Sequence, residues 1–407
     1  MNGERVGTWS LPMRGSQEFS YVESWFDNLL PESDAIRRRA QTRFQAASTS
    51  AFDLLSAIGR DCAGAVQLLP TGEEPRGIDR IDARPLGEKE IGLRLRAVTA
   101  APAPGSLDPE ADVLRLSVAG AQEKTAFLFH NGQWCLPLGS TPTTHLFKLP
   151  MGIIGEGQID FSTSVENEWL CSQVLQAYGL AVAATQMARF DGERCLIVER
   201  FDRRLHASGA YWLRLPTEDG CQATSTPAAN KYENNGGPGM VAIAELLAQS
   251  SERHDLSTFF KAQVLFWMLR AIDGHAKNFS LFLDPGGRFQ LTPLYDVLSA
   301  WPVIGPRHGQ WPQQKLKMAM AWHGEKGRYD EPQQITAPRM LLTAKRLGLG
   351  DAKAILDDLI AQTPAVLVSV RALLPSGIPQ TVAEPVLTGL ESAAAQLQRQ
   401  LLQSPLM

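Results

Sequence analysis

The sequence predicts an α+β fold in two lobes, with an accessory region before a β-rich amino-terminal lobe and a mainly helical carboxy-terminal lobe. Three observations support this prediction. Strand-like segments flank a loop of small residues between 113 and 136, an apolar helical pattern at 259–272 leads into a polar loop and a β-hairpin, and helical periodicity dominates beyond Pro332. These patterns place the accessory region at 1–105, the β-rich lobe at 106–204 and the helical lobe at 205–407.

The composition of the whole chain excludes several classes of protein. The 39 basic and 43 acidic residues give a net charge of −4, so no general attraction to nucleic acid or anionic membranes is expected. The five cysteines are widely spread without a Cys-x-x-Cys pair, which argues against a disulfide framework or zinc site and favours buried, reduced thiols. No apolar run approaches the roughly 20 residues of a membrane span. Met1 to Ser10 lacks the order of a signal peptide, so we expect a cytoplasmic protein.

The accessory region carries no catalytic signature. Asn2-Gly3 is a hairpin-turn signal, Ser33-Asp34 are capping candidates for a helix over 36–44, and a second short helix begins at Phe52 and ends at Gly59. Residues 70–111 are rich in Pro, Gly, Ala and charge, which predicts a linker or loosely packed boundary.

A small-residue loop between two strands opens the β-rich lobe. Residues 113–118 and 125–129 alternate as strands, and Ala119 to Lys124 connect them. Small residues let backbone N–H groups approach phosphates, and a nearby lysine supplies charge. The loop is therefore a candidate for covering nucleotide phosphates, and a plain hairpin is the alternative.

The next strand, 144–149, contains a lysine among apolar neighbours. Lys148 could face solvent, as most strand lysines do, or reach the nucleotide phosphates and pair with a glutamate on the following helix. That helix is predicted to begin at Ser164 and end at Gly179, with Glu168 beside its buried face and Glu166 farther round. We therefore favour Glu168 as the ion-pair partner of Lys148.

The segment from Asp273 to Asp296 carries the strongest chemical signal. Asn278 follows Asp273 by five residues, and Asp296 follows it by 23, beyond an intervening hairpin. Protein kinases use this order: an aspartate that accepts the proton of the incoming hydroxyl, then an amide oxygen and a second carboxylate that bind Mg²⁺. The alternative is a helix cap followed by an ordinary turn. The complete pattern favours a two-lobed, protein-kinase-like α+β fold with ATP and Mg²⁺ as cofactors.

A small basic spot lies in the helical lobe at Lys345 and Arg346. A solvated helix face is the simpler interpretation, and contact with DNA is the alternative.

Taken together, these motifs resemble the HipA family, the serine/threonine-kinase toxins of bacterial type II toxin–antitoxin modules. The resemblance covers most of the chain from Phe26 onward. The matching motifs are Leu116 to Ala126, Thr141 to His145 with Lys148 to Pro150, Val198 to Arg203, Asp273 to Ser280, and Tyr295-Asp296.

The resemblance implies a role for each candidate residue. Lys148 would hold the nucleotide phosphates, Glu199 and Phe201 would line the adenine hinge, and Asp273 would be the catalytic acid/base. Asn278 and Asp296 would bind Mg²⁺, and Ser117 would be the autophosphorylated serine. We also infer that His275 and Lys277 meet the γ-phosphate charge. The nucleotide-binding loop would comprise Val118, Ala119, Gly120, Ala121, Gln122, Glu123, Lys124 and Thr125.

The resemblance also implies partners. Family members phosphorylate an aminoacyl-tRNA synthetase, typically the glutamyl enzyme, which causes growth arrest and persistence. They are neutralised by HipB, a helix-turn-helix antitoxin, in a complex on operator DNA. This chain departs from the pattern in an abbreviated amino-terminal region, since the segment before Pro31 lacks an insertion that relatives carry.

Two other functions remain open. One is a catalytically weak nucleotide-binding co-repressor that acts with its antitoxin. The other, a small-molecule kinase, is disfavoured by the extended match around Ser117.

Overall fold

The computed structural model describes residues 19–100, 116–117, 119–120, 122–155 and 157–403. The predicted turn at Asn2-Gly3 lies outside these residues. The helices are α1 Phe19–Asp27, α2 Asp34–Phe44, α3 Ala51–Ile58, α4 Glu88–Thr99, α5 Ser164–Ala177, α6 Gly220–Ala223, α7 Met240–Leu247, α8 Asp255–Leu269, α9 Ala337–Arg346, α10 Ala352–Leu373 and α11 Gln380–Gln403. The strands are β1 Asp61–Cys62, β2 Ala83–Pro85, β3 Leu116–Ser117, β4 Lys124–His130, β5 Gln133–Pro137, β6 His145–Lys148, β7 Gly152–Ile154, β8 Ile159–Phe161, β9 Thr185–Phe190, β10 Glu193–Glu199, β11 Arg203–Leu205, β12 Trp212–Arg214, β13 Thr217–Asp219, β14 Ser280–Asp284, β15 Arg288–Leu291, β16 Trp322–His323 and β17 Arg328–Tyr329.

The chain divides into two compact units. Unit 1 comprises Met1–Leu149, Ala184–Ala229 and Leu281–Arg288, and unit 2 comprises Pro150–Ala183, Asn230–Ser280 and Phe289–Met407.

Unit 1 is built on a six-stranded sheet in the order β2-β5-β4-β6-β10-β9. Successive side chains of a strand point to opposite faces of the sheet. The side chains on one face of the central strands form an apolar core that includes Phe127, Phe147 and Ile197. Two tight turns join adjacent strands, at Asn131-Gly132 and Asp191-Gly192, and both residues of each have positive φ.

Helix α4 packs against this sheet, and it corrects the prediction of a linker or loosely packed boundary for residues 88–99, whereas 101–111 lie outside the described residues. Ile91 and Leu95 are buried in the same core as the central strands. Gly92 lets the helix backbone approach β9, since a Cβ there would lie 2.8 Å from the carbonyl oxygen of Phe190. The helical pattern is hard to recognise in the sequence, because the apolar face of α4 is only a few residues long and Pro- and Gly-rich residues lie on both sides of it.

The accessory part of unit 1 has its own small core. Helices α1 and α3 bury Trp25, Leu30, Leu54 and Ile58 together. The helices predicted at 36–44 and from Phe52 are confirmed as α2 and α3.

Unit 2 is mainly helical, as the periodicity beyond Pro332 predicts. Helix α8 is buried on nearly all sides from Phe259 to Leu269, with Lys261 the exception, which is typical of a central core helix. It ends at Leu269 because Arg270 adopts φ 53°, so the helical pattern predicted over 259–272 runs three residues past the end of the helix. Helix α5 begins one residue after its N-cap, Thr163, whereas Ser164 was the predicted cap.

All five cysteines are buried and free, as predicted. Within the described residues, no helix is both long and apolar enough to cross a membrane.

Candidate active site

The candidate catalytic loop in unit 2 leaves helix α8 through two tight turns. The His275 N–H donates to the Asp273 carbonyl at 2.8 Å, and the Asn278 N–H donates to the His275 carbonyl at 2.9 Å. Between them, Gly274 passes close to the ring of Phe266, and a Cβ at this position would lie 2.5 Å from the ring carbon Cδ2. The loop therefore requires glycine after the aspartate, for reasons of space.

The Asp273 carboxylate is exposed and oriented by a tyrosine that the sequence did not single out. The Tyr232 hydroxyl donates to Asp273 Oδ1 at 2.5 Å, and the Asp273 side chain is 60% exposed. The tyrosine ring also packs edge-on against His275, with centroids 5.1 Å apart. A loop 41 residues upstream thus fixes the carboxylate that is the candidate acid/base.

Asn278 and Asp296 come together as the spacing predicts. Asn278 Nδ2 donates to the Asp296 carbonyl at 3.3 Å. This leaves Asn278 Oδ1 buried and, within the part of the chain that the structure describes, without a hydrogen-bond partner. Asp296 adopts φ 61°, a left-handed conformation that is uncommon for a residue other than glycine. A buried orphan acceptor beside a strained aspartate is the arrangement expected where a ligand completes a site.

These two oxygen donors suit Mg²⁺. This cation takes hard oxygen ligands and is commonly held by one or two protein groups together with substrate phosphates and water. Among the described residues, no group of three or more His, Cys, Asp or Glu side chains could hold a metal without such help. The donor set therefore fits a metal that is bound together with nucleotide.

A buried asparagine anchors the segment that follows Asp296. Asn167 of α5 accepts from the Ser299 N–H at 2.8 Å and donates to the Ser299 carbonyl at 2.8 Å. The Ser299 hydroxyl donates to the carbonyl of Leu269, the last residue of α8, at 2.5 Å. Asn167 adjoins Glu168 in the sequence, but nothing in the local pattern indicates its partner 132 residues away.

His275 and Lys277 are both buried. Burial lowers the pKa of His275 to about 3, with the charge of Lys231 adding to the effect, so the imidazole is neutral at pH 7. The Lys277 backbone is fixed by the Tyr295 hydroxyl, which donates to its carbonyl at 2.6 Å. His275 can therefore serve as a hydrogen-bonding group, and not as a cation.

The candidate nucleotide loop lies in unit 1. Gly120 adopts φ +115°, which favours glycine, and the Lys124 ammonium donates to the Ala119 carbonyl at 2.6 Å. The accessory region holds the loop, because the Glu32 N–H donates to the Gly120 carbonyl at 3.2 Å. The loop continues into β4 through Gln122, Glu123 and Thr125. Glu123 forms an ion pair with Arg39. Two further candidates, Val118 and Ala121, lie outside the described residues.

Ser117 is fully buried in unit 1. Its hydroxyl donates to the Leu29 carbonyl at 2.9 Å, and its strand pairs in parallel with β1, with Ser117 opposite Cys62. The candidate phosphorylation site is therefore held by the accessory region on two sides.

The other nucleotide-binding candidates in unit 1 lie on adjacent strands. Lys148 is buried at the end of β6, opposite Leu196 of β10, so it does not lie on a solvated face. Glu199 is exposed at the end of β10, and the half-buried Phe201 packs edge-on against Phe282. Glu168 is buried in unit 2 and so is Glu166, so burial does not select between them, and the pairing of Lys148 with Glu168 stays a prediction.

The basic spot at the end of α9 borders a groove of unit 2. Arg346 contacts His323 Nδ1 at 2.8 Å, and Lys345 is exposed. Both line a cavity of about 1200 Å³ whose walls also carry Glu233, Glu245 and Glu325. The mixed charge gives no strongly positive surface, and contact of these two residues with DNA stays a prediction.

Comparison with known protein families gives two matches. A family model described as the HipA-like C-terminal domain matches residues 116–367. A second model, described as the HipA N-terminal domain, matches residues 2–69.

Individual relatives and a solved structure agree with these matches. The putative kinase Y4mE of Sinorhizobium fredii is 33% identical over 343 residues, which are 75% of this chain and 78% of that protein. The serine/threonine-protein kinase toxin HipA of Shewanella oneidensis is 27% identical over 304 residues, and the alignment covers 71% of this chain and 66% of the toxin. The solved complex of Shewanella oneidensis HipA with HipB and operator DNA contains a chain with a TM-score of 0.74 and 24% identity, covering 96% of this chain and 88% of that one. This structural likeness confirms the predicted fold class.

Proposed function

The chain belongs to the HipA family, and from this membership we propose that it is an ATP-dependent serine/threonine protein kinase and the toxin of a type II toxin–antitoxin module. The single observation that carries the proposal is the pairing of Asn278 with Asp296, which leaves a buried amide oxygen without a hydrogen-bond partner in the described structure. Five residues before Asn278 lies an exposed, oriented carboxylate, Asp273. Acceptors arranged in this way suit metal-assisted phosphoryl transfer.

The proposed reaction transfers the γ-phosphoryl group of ATP to a serine. The serine Oγ forms a bond to the γ-phosphorus while the bond from that phosphorus to the β,γ-bridging oxygen breaks, and ADP leaves. Asp273 orients the serine hydroxyl and takes its proton, as the exposure of this carboxylate permits. Tyr232 restricts the carboxylate to one orientation, which reduces the entropy lost on reaching the reactive geometry.

Asn278 and Asp296 would hold Mg²⁺, which neutralises charge on the phosphates when it is bound. Lys277 would add positive charge beside the transferred group, and His275 would contribute a hydrogen bond from its neutral ring. In unit 1, Lys148 would contact the nucleotide phosphates, the loop from 118 to 125 would cover them, and the hinge residues Glu199 and Phe201 would contact adenine.

We further propose Ser117 as a site of self-phosphorylation. Its hydroxyl is fully buried against the Leu29 carbonyl, so the strand must leave this position before the hydroxyl can react. A phosphoserine carries a charge of about −2 at neutral pH. It could not return to a buried site where its partner is a carbonyl oxygen, and the loop that follows Ser117 would stay displaced.

The proposed partners follow from the relatives. The structurally similar HipA chain is in a complex with HipB and operator DNA, which supports a HipB-like antitoxin and operator DNA as partners of this chain in the cytoplasm. An aminoacyl-tRNA synthetase, such as the glutamyl enzyme, is the proposed protein substrate, and growth arrest is the proposed outcome.

Incubation of the purified protein with Mg²⁺ and labelled ATP tests the proposal. We expect phosphate on Ser117, mapped by mass spectrometry, and on the synthetase when it is added. Asp273→Gln should abolish both signals. Nucleotide binding with no labelling of either protein would refute the kinase and favour a co-repressor that binds nucleotide without catalysis.

A further inference from the structure

A buried network of charges joins the accessory region of unit 1 to the hinge. Asp61 of β1 accepts hydrogen bonds from Arg200 Nη1 at 3.2 Å and from Arg203 Nη2 at 3.0 Å. Its Oδ2 also accepts from the Thr143 N–H at 3.0 Å and from the Thr143 hydroxyl at 2.6 Å. The Cys62 carbonyl accepts from the same two arginines, at 2.8 and 2.7 Å.

The hinge has two faces because its side chains alternate. Glu199 is exposed and Phe201 is half-buried, whereas Arg200 and Asp202 are 5% and 6% exposed and belong to the buried network. The two residues expected to meet the nucleotide are therefore interleaved with residues held by the accessory region. A shift of Arg200 would move both of its neighbours, since they share its backbone.

The opposite charges of the network stabilise one another in their buried position. Burial alone would raise the pKa of Asp61, but the positive charges of Arg200, Arg203 and Arg214 lower it well below the usual range of a carboxyl group. Asp61 is therefore ionised throughout the physiological range. Removal of its charge would leave buried guanidinium groups with too few acceptors, and they would move to regain them.

The same short strand contacts the segment that carries Ser117. Strand β1 pairs in parallel with β3, with Asp61 opposite Leu116 and Cys62 opposite Ser117. One edge of β1 thus holds the candidate phosphorylation segment, while its carbonyl and carboxylate groups hold the hinge arginines.

We propose that Asp61 is a positioning residue for adenine recognition, which acts through Arg200 and Arg203 and couples the accessory region to the hinge. The proposal rests on the proposed nucleotide-binding function. The accessory region would then help to select the nucleotide base, in addition to any role in binding partners.

Nucleobase selectivity tests this role, because the hinge contacts the base whereas the loop and Lys148 would contact the phosphates. We would measure the dissociation constants of non-hydrolysable analogues of ATP and GTP for the purified full chain and its variants. Asp61→Asn should weaken binding of the ATP analogue about five- to tenfold, the change produced by loss of about one hydrogen bond. Binding of the GTP analogue should change less than twofold, so that selectivity falls.

Two further variants complete the experiment. Thr143→Val removes one hydroxyl donor to Asp61 and should lower selectivity in the same direction by a smaller factor, which keeps the test valid if Asp61→Asn fails to fold. Arg38→Ala removes an exposed side chain of the accessory region, whose ion-pair partner is Asp34 and not a network residue, and should leave selectivity unchanged. Unchanged selectivity in both network variants would overturn the proposal, as would an equal loss in Arg38→Ala or a wild-type protein that binds both analogues equally. A wild-type protein that binds neither analogue would refute the proposed function as well.

Discussion

Replacement of Asn167 by alanine tests whether this residue fixes the segment after Asp296. The side-chain amide makes two hydrogen bonds of 2.8 Å to the backbone of Ser299, and Asn167 is 2% exposed. Truncation leaves a buried N–H and a buried carbonyl without these partners, and each such group costs about 1–3 kcal/mol. We therefore expect the free energy of unfolding of unit 2 to fall by about 3 kcal/mol.

Thermal unfolding measures this effect. Unit 2 has roughly 200 residues, and for domains of this size 1 kcal/mol lowers the melting temperature by about 2–4 °C, so a fall of about 6–12 °C is expected. The variant should also need more Mg²⁺ for phosphoryl transfer, because the Asp296 segment loses its anchor. Asn235→Ala, on an exposed loop, is the control and should change stability by less than about 0.5 kcal/mol. If the melting temperature of Asn167→Ala falls by less than 2 °C, Asn167 does not anchor the segment that follows Asp296.

Three other substitutions have defined outcomes. Tyr232→Phe removes the donor to Asp273, and because that carboxylate is 60% exposed we expect a loss of roughly 1 kcal/mol and a kcat about fivefold lower; an unchanged kcat would contradict the orienting role. Gly274→Ala places a Cβ 2.5 Å from the Phe266 ring and should destabilise the protein by about 1–3 kcal/mol, measured by denaturant unfolding. Burial lowers the pKa of His145 to about 4 from 6.5, so its neutral form stabilises the fold above pH 6.5, and this stabilisation is lost as the pH falls toward 4. The free energy of unfolding, measured between pH 7 and pH 4.5, should fall less steeply with decreasing pH in His145→Gln than in the wild type. Equal slopes in the two proteins would contradict this assignment.

The geometry of the candidate catalytic loop follows largely from local patterns in the sequence. The positions of Asp273, Asn278 and Asp296 depend on a short loop and a hairpin, and each is formed by residues close in sequence. The spacing of these three residues in the sequence therefore determines most of the geometry of the loop. The orphan oxygen of Asn278 could not be predicted, because it depends on which end of the amide meets the Asp296 carbonyl.

The supporting residues were missed because their contacts are distant in sequence. Asn167 meets Ser299 across 132 residues, and Asp61 meets Arg200 across 139. An isolated asparagine in a helix, or an aspartate two residues after the glycine that ends a helix, gives no indication of such a partner. Arg200 lies inside the motif from Val198 to Arg203, but the resemblance assigns a role only to its neighbours Glu199 and Phe201, which it places at the nucleotide.

The linker predicted over 70–111 was wrong for residues 88–99, for a different reason. Its composition is typical of a flexible segment, yet Ile91 and Leu95 bury a short helix face against the sheet. Tertiary packing decided the structure of this segment over its average composition.

We propose Asp273 as the catalytic acid/base of a phosphoryl-transfer site. The most direct measurement is the single-turnover rate of phosphate transfer from labelled ATP, compared between the wild type and Asp273→Asn, with the affinity for ATP measured on both. We predict that the variant binds ATP within about twofold of the wild type and transfers phosphate at least roughly 100-fold more slowly, the lower range for loss of a general base. A variant that transfers phosphate at the wild-type rate would contradict the account.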